Sequence, residues 1–364
     1  MNIKTLKNAA VYPYNCHFTP LLRYPPFPWE GLRLFSPKAW ALHEKDASEA
    51  DGGNPTGITV ISNIGSIDQS DCLIVPEYNH EDILDQNVSQ IISRFIENKK
   101  PVYYLSDNKS FLPKQIQQQL AASTNEKISP PVSQLKKQDP LKSINVPVIA
   151  IAGLHYDLNK TDILLSLNHS LCMHGYKSSV ITCEKTALLC DFNTYPDDIL
   201  NQKLPYVESI LRFNAYVKNL EIQNNPEVII VSILGGILPY ADILHNDFGY
   251  MSQLVFNAIA PDFCILSVPC SHINDQYLDL LKNIMYYRFG TPIECFYYSN
   301  KGIDTKMYTK SELINPTIFS KGDFLERWQK YAAPISDAYN IYNFSLPNHQ
   351  KTFGEFIIKR LKGE

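Results

Sequence analysis

Residues 146–152 (VPVIAIA) form an uninterrupted apolar run that ends against a glycine-started polar loop, Gly153–Thr161 (GLHYDLNKT). Such a short continuous run reads as a strand buried on both faces, the kind found in parallel sheets with helices on either side. Beyond the loop, Ile163, Leu164, Leu167 and Leu171 recur at helical spacing, which predicts an amphipathic helix ending at Gly175. Strand, glycine loop, Lys-Thr and helix is an order of elements that binds phosphate. Glycine lets the backbone approach, amides at the helix start face the anion, lysine neutralises charge, and the hydroxyl can ligate Mg²⁺.

The alternation continues on both sides of this segment. Ser178–Thr182, Glu227–Leu234, Phe263–Val268 and Glu294–Tyr298 read as strands, with helical patterns near 205–222, 250–259 and 275–288. Earlier, residues 9–14, residues 57–62, Cys72–Pro76 and Pro101–Leu105 read as strands, and Ile83, Val88, Ile91, Ile92, Phe95 and Ile96 mark a helix. The expected fold is α/β: an N-terminal Rossmann-like domain over 1–108 and a second, doubly wound, P-loop-like parallel-sheet domain over 146–300. Residues 109–145 are polar, contain SPPVSQLKKQDP, and read as a linker or exposed connection. Residues 301–364 read as a C-terminal extension capping the second domain, ending in a helix over Gly354–Leu361.

Composition removes several function classes. The chain is 45% hydrophobic and 19% charged, within the range of packed globular proteins. A net charge of −4 supplies no basic field for nucleic acid. No stretch approaches the roughly 20 apolar residues of a membrane span. The N-terminus lacks the apolar core of a signal peptide, so a cytoplasmic location is expected. Eight cysteines are scattered without a C-x-x-C pair and read as small buried hydrophobes. His169, Cys172 and His174 are the nearest approach to a ligand cluster, but nothing in sequence completes it, and no metal site is assigned.

Within the loop, Gly153, Asp157, Asn159, Lys160 and Thr161 are the candidate nucleotide- or anion-binding residues. Lysine stands seven positions after the first glycine, one more than the standard spacing. Asn159 holds the place of a second glycine, and asparagine is the next best residue for a positive φ. The competing reading is a packing helix that begins at Lys160, N-capped by Asp157 or Asn159. Gly235 and Gly236 close the strand of EVIIVSILGGILP at its carboxyl end, where α/β sheets bind ligands; a tight turn alone accounts for one of them. Asp242 and Asp247 follow as conceivable metal ligands, but the strand end itself offers only Ser232 where an ATPase holds Mg²⁺. Asp46, Ser48 and Asp51 (in KDASEADGG) and Arg288 are candidates for a cleft between the domains; the competing readings are a plain exposed turn for the first three, which composition favours, and pairing with a helix dipole for Arg288. No G-x-S-x-G setting occurs, so no catalytic residue is assigned. Aromatic clusters such as Tyr24–Trp29, Tyr286–Tyr287 and Tyr297–Tyr298 suit either peptide or subunit contact or plain packing, and a homo-oligomer is compatible with them.

The longer spacing of the loop resembles dethiobiotin-synthetase-like P-loop domains, which read G-T-x-x-x-V-G-K-T; Asn159 departs from that pattern. A wider set of strings resembles the peptide maturation system proteins found beside clostridial bacteriocin-type clusters with radical SAM enzymes. They are YPYN (Tyr12–Asn15), SPKAW…KDASEADGG (Ser36–Gly53), VIAIAGL with its lysine (Val148–Lys160) and Gly-Gly-Ile-x-Pro (Gly235–Pro239). FGYMSQLVFNAIAPD (Phe248–Asp262) and YRFG (Tyr287–Gly290) complete the set. The resemblance implies an accessory of ribosomal peptide natural-product biosynthesis, with no settled reaction and with a precursor peptide or radical SAM maturase as partner; the loop itself adds ATP or GTP with Mg²⁺ as the expected ligand. Two alternatives stand beside it: a non-catalytic peptide- or maturase-binding scaffold with a relic loop, and a nucleotide-independent small-molecule transferase.

Overall fold

In the computed structural model the apolar runs pair side by side in two sheets that are parallel throughout. The structure describes residues 7–25, 28–78, 82–106, 109–123, 140–240, 244–303 and 316–363. The chain divides into two units: Met1–Lys127 with Glu184–Asp191, and Ile128–Cys183 with Phe192–Glu364.

The first unit runs β1 (Ala9–Val11), α1 (Thr19–Arg23), β2 (Arg33–Phe35), β3 (Val60–Ile61), β4 (Cys72–Val75), α2 (Asp82–Glu97), β5 (Val102–Tyr104) and α3 (Lys114–Ser123). Its strand order, β3-β2-β1-β4-β5, is Rossmann-like. Helix α2 buries Leu84, Val88, Ile91, Ile92 and Phe95, a stripe at i, i+4, i+7, i+8 and i+11. Ile83, counted in the apolar spacing, instead lies 77% exposed, because the stripe starts one residue later. Three elements escape the sequence pattern, the first being the five-residue α1. Strand β2 is only three residues long, and α3 lies in the polar segment read as a linker. Ile116 and Leu120, four apart, bury α3 against the first unit's core.

The second unit runs β6 (Val148–Gly153), α4 (Lys160–Met173), β7 (Ser178–Thr182), β8 (Asn193–Thr194), α5 (Asp197–Leu200), α6 (Tyr206–Asn224) and β9 (Val228–Ser232). It continues with α7 (Tyr250–Ile259), β10 (Phe263–Val268), α8 (Asp275–Phe289), β11 (Ile293–Tyr298), β12 (Lys301–Gly302) and β13 (Thr317–Ile318). Last come α9 (Lys321–Arg327), α10 (Ser336–Tyr339), β14 (Ile341–Tyr342) and α11 (His349–Lys362). The seven-stranded sheet has the order β14-β11-β10-β6-β9-β7-β8. Every residue of β6 is buried, with β9 on one side and β10 on the other. The chain leaves β6 toward β7 and later returns to its opposite side as β10. The loop after β6 therefore sits where the winding reverses, at the carboxyl ends of the strands.

Helix α4 stops as the sequence predicts. Gly175 takes a φ of 84°, and the Tyr176 amide donates back to the Leu171 carbonyl. The C-terminal segment is more than a cap. Strand β14 extends the sheet beside β11, and α11 lies against α4 so closely that a Cβ on Gly354 would fall 2.2 Å from Ser170 Oγ. Of the cysteines, Cys72, Cys264, Cys270 and Cys295 are buried, Cys16, Cys183 and Cys190 half-buried, and Cys172 exposed.

Candidate functional site

The loop from Gly153 to Thr161 is braced by three neighbouring segments. Leu154 N–H donates to Ser267 O of β10 at 3.0 Å, and Ser267 Oγ–H donates to Leu158 O at 2.6 Å. From the turn after β9, Ile237 N–H donates to Gly153 O at 3.0 Å. The Asn246 amide donates to Leu154 O at 2.8 Å. Gly153 is needed for the tight reversal, since a Cβ there would meet His155 O at 2.8 Å.

Asn159 takes the left-handed conformation, φ 54° and ψ 21°, as its position in the motif requires. Its carbonyl accepts the first bond of α4, from Ile163 N–H. The capping alternative is corrected in part: Asn159 holds the N-cap position, yet its side chain makes no capping bond among the described residues. Its Nδ2 donates to Asp162 Oδ2 at 3.1 Å, and its Oδ1 accepts from Ser299 Oγ at 2.5 Å. Asp157 pairs with Lys301 at 2.5 Å.

Lys160 opens α4, and its ammonium donates to Ile233 O at 2.6 Å and Gly235 O at 3.0 Å, across the end of β9. Both glycines of the turn have distinct causes. Gly235 has a φ of 77°, whereas Gly236 admits Asn246 and the loop: a Cβ there would fall 2.4 Å from Asn246 Nδ2 and 2.8 Å from Leu154 O. The structure thus brings Gly153, Asp157, Asn159, Lys160, Gly235 and Gly236 into one site. Thr161 follows Lys160 in the first turn of α4 and is half-buried.

Side chains outside the sequence-derived set also build the site, among them His155, Asn246, Ser267, Ser299 and Lys301. Ser299 and Lys301 stand just beyond the carboxyl end of β11, a position that could have flagged the string SNKG. His155 is fully buried, and burial is the main cause that pulls its pKa down to about 4. The Lys160 and Lys301 charges push the same way, and Asp157 opposes them.

The remaining candidates are held locally. In the first unit, Asp46 Oδ1 accepts from Ser48 N–H at 2.8 Å and Thr56 N–H at 3.0 Å, and Oδ2 from Gly57 N–H at 2.7 Å. Desolvation opposes ionisation there, but these bonds outweigh it and take the carboxyl down to about 2. Asp51 is gripped by both terminal nitrogens of Arg23, at 2.6 and 2.7 Å. Ser48 is buried in the same loop. In the second unit, Arg288 at the last turn of α8 donates to Phe248 O at 2.8 Å. Asp247 is exposed, and Asp242 lies outside the described residues. Among the described residues no three His, Cys, Asp or Glu side chains are grouped to hold a metal, and no helix is long and apolar enough to cross a membrane.

No family model and no curated protein matches this chain. Solved structures do. A DUF1611 family protein from Anabaena variabilis superposes with a TM-score of 0.56 at 10% identity, covering 98% of this chain and 100% of that one. The likeness establishes the fold across both units. Cobyrinic acid a,c-diamide synthase from Mycobacterium smegmatis, solved with a bound ATP analog and magnesium, overlays at a TM-score of 0.33 and 11% identity, over 60% of this chain and 97% of that one.

Proposed function

We propose that the second unit binds a nucleotide or another phosphorylated ligand at Gly153–Thr161. The observation that carries this reading is the left-handed Asn159 set directly before Lys160, at the reversal point of a parallel sheet. That backbone turn starts α4 so that its first amides, which lack partners within the helix, face the same end of the sheet as the Lys160 ammonium. The residues present fit a phosphate well. For Mg²⁺ the motif supplies only the Thr161 hydroxyl, because β9 ends in Ser232, so the ligand's own phosphate oxygens and water would complete the shell. Mg²⁺ bound there would neutralise phosphate charge. The chain's residues would position the ligand: Lys160 as cation, Gly153 and Asn159 by backbone conformation. The biological setting that we propose, from the strings shared with peptide maturation system proteins, is accessory work on a ribosomally made peptide.

Calorimetric titration of MgATP and MgGTP into the wild-type chain and Lys160→Ala tests the binding. Heat with wild type that is lost in Lys160→Ala is expected. Absence of heat with both nucleotides would remove nucleotide as the ligand, and binding indifferent to Lys160 would move the site elsewhere.

A second reading, a peptide- or maturase-binding scaffold, is favoured by exposed aromatic side chains. Tyr286 and Tyr287 on α8 are 61% and 83% exposed, and Phe248 is 64% exposed. Precursor-peptide capture that survives Lys160→Ala but fails in Tyr286→Ala/Tyr287→Ala would support it.

A further inference from the structure

Two lysines in this site are buried, Lys160 at 4% exposure and Lys301 at 5%. They come from different parts of the sheet. Lys160 reaches toward the end of β9, on one side of β6, and Lys301 enters from beyond β11, on the other side. Beside burial, both charges push the pKa of the His155 ring down. Asp157, a loop residue, sets its carboxylate against Lys301 at 2.5 Å. Of that pair the carboxylate is the more open partner, with 24% of its side chain exposed against 7% for the lysine. Ser299 holds the same segment to the loop, since its Oγ donates to Asn159 Oδ1 and accepts from Lys301 N–H at 3.0 Å.

Resting on the phosphate-loop reading, we propose that Asp157 fills the place of an anionic oxygen from within the chain, and that Lys301 is a second phosphate contact exposed when a polyphosphate displaces it. The physical basis is charge exchange. A buried ammonium keeps an anionic partner, and a phosphate oxygen can replace the carboxylate at little desolvation cost because the lysine is already out of water. Cations on both sides of β6 match a chain of phosphates better than a single one. The ligand class is therefore a di- or triphosphate, and Asp157 sets its affinity by competing for Lys301.

Calorimetry with inorganic tripolyphosphate and, separately, orthophosphate tests this on the full chain. Wild type, Asp157→Asn, Lys301→Met, the double variant and Lys160→Ala are compared, with thermal unfolding of each as the check on folding. Asp157→Asn is expected to tighten tripolyphosphate about tenfold, and Lys301→Met to weaken it by a similar factor while changing orthophosphate little. In the double variant the gain from Asp157→Asn should vanish. The proposal is overturned if Asp157→Asn leaves affinity unchanged or lower, or if its gain persists without Lys301. Should Asp157→Asn not fold, Lys301→Met decides, and an equal loss for both anions overturns the proposal. If wild type binds, Lys160→Ala abolishes binding and the other variants match wild type, only this inference fails. If no variant binds either anion, the phosphate-loop reading fails with it.

Discussion

The side-chain amide of Asn246 bridges two carbonyls, Leu154 O at 2.8 Å and Leu238 O at 2.9 Å, and so ties the Gly153–Thr161 loop to the turn after β9. Replacing Asn246 with alanine leaves both carbonyls without this donor. A loss of about 1–3 kcal/mol is expected, read from denaturant midpoints. Gly236→Ala should cost at least as much, because its Cβ would strike Asn246 and Leu154 together. An unchanged midpoint for both would mean the bridge does not support the loop.

Asn159 combines a backbone task with a side-chain task, and two substitutions separate them. Glycine keeps the left-handed φ but loses the bonds to Ser299 and Asp162. Alanine loses both and should fold less stably than glycine by about 1 kcal/mol. Equal stabilities would show that the left-handed turn carries no strain relief from the residue chosen.

His155 makes stability depend on mildly acidic pH. Its pKa in the fold is about 4, below the roughly 6.5 of an unfolded histidine. Between these values the unfolded chain binds the extra proton, so stability falls as pH drops through that window and is unaffected by this group above it. His155→Leu should flatten that part of the profile in chemical denaturation at stepped pH. A wild-type slope retained in the variant would assign it to another group.

Asp46 acts at lower pH. Its folded pKa of about 2 lies below the unfolded value of roughly 3.9. The stability it contributes is fully present above the unfolded pKa and is lost as pH falls from there toward 2. Asp46→Asn should therefore destabilise the chain near neutral pH and converge with wild type in acid. Parallel profiles at all pH values would contradict the assignment.

Much of this architecture is legible in the amino-acid order. Buried strands announce themselves as apolar runs, and β7 and β10 lie at the residues the pattern marks. The left-handed turn at Asn159 follows from local chemistry, as does the end of α4 at Gly175. Short or polar elements are harder to see. Strand β2 has three residues, and α3 shows few apolar positions, so only their packing partners make them elements. The acidic loop at Asp46–Asp51 reads as a plain turn or as a ligand turn, because small and acidic residues serve both purposes. Its carboxylates instead meet Arg23 and the backbone of Thr56 and Gly57.

The sequence alone determined the class of fold, the place of the Gly153–Thr161 loop after β6 and the handedness of its turn, since each depends on residues a few positions apart. Tertiary structure decided what surrounds the loop. Asp157 and Lys301 are 144 positions apart, Asn159 and Ser299 140, and Leu154 and Asn246 92. Contacts over such separations are selected by strand order rather than by local pattern: β11 and the turn after β9 reach the loop because the sheet winds outward in both directions from β6.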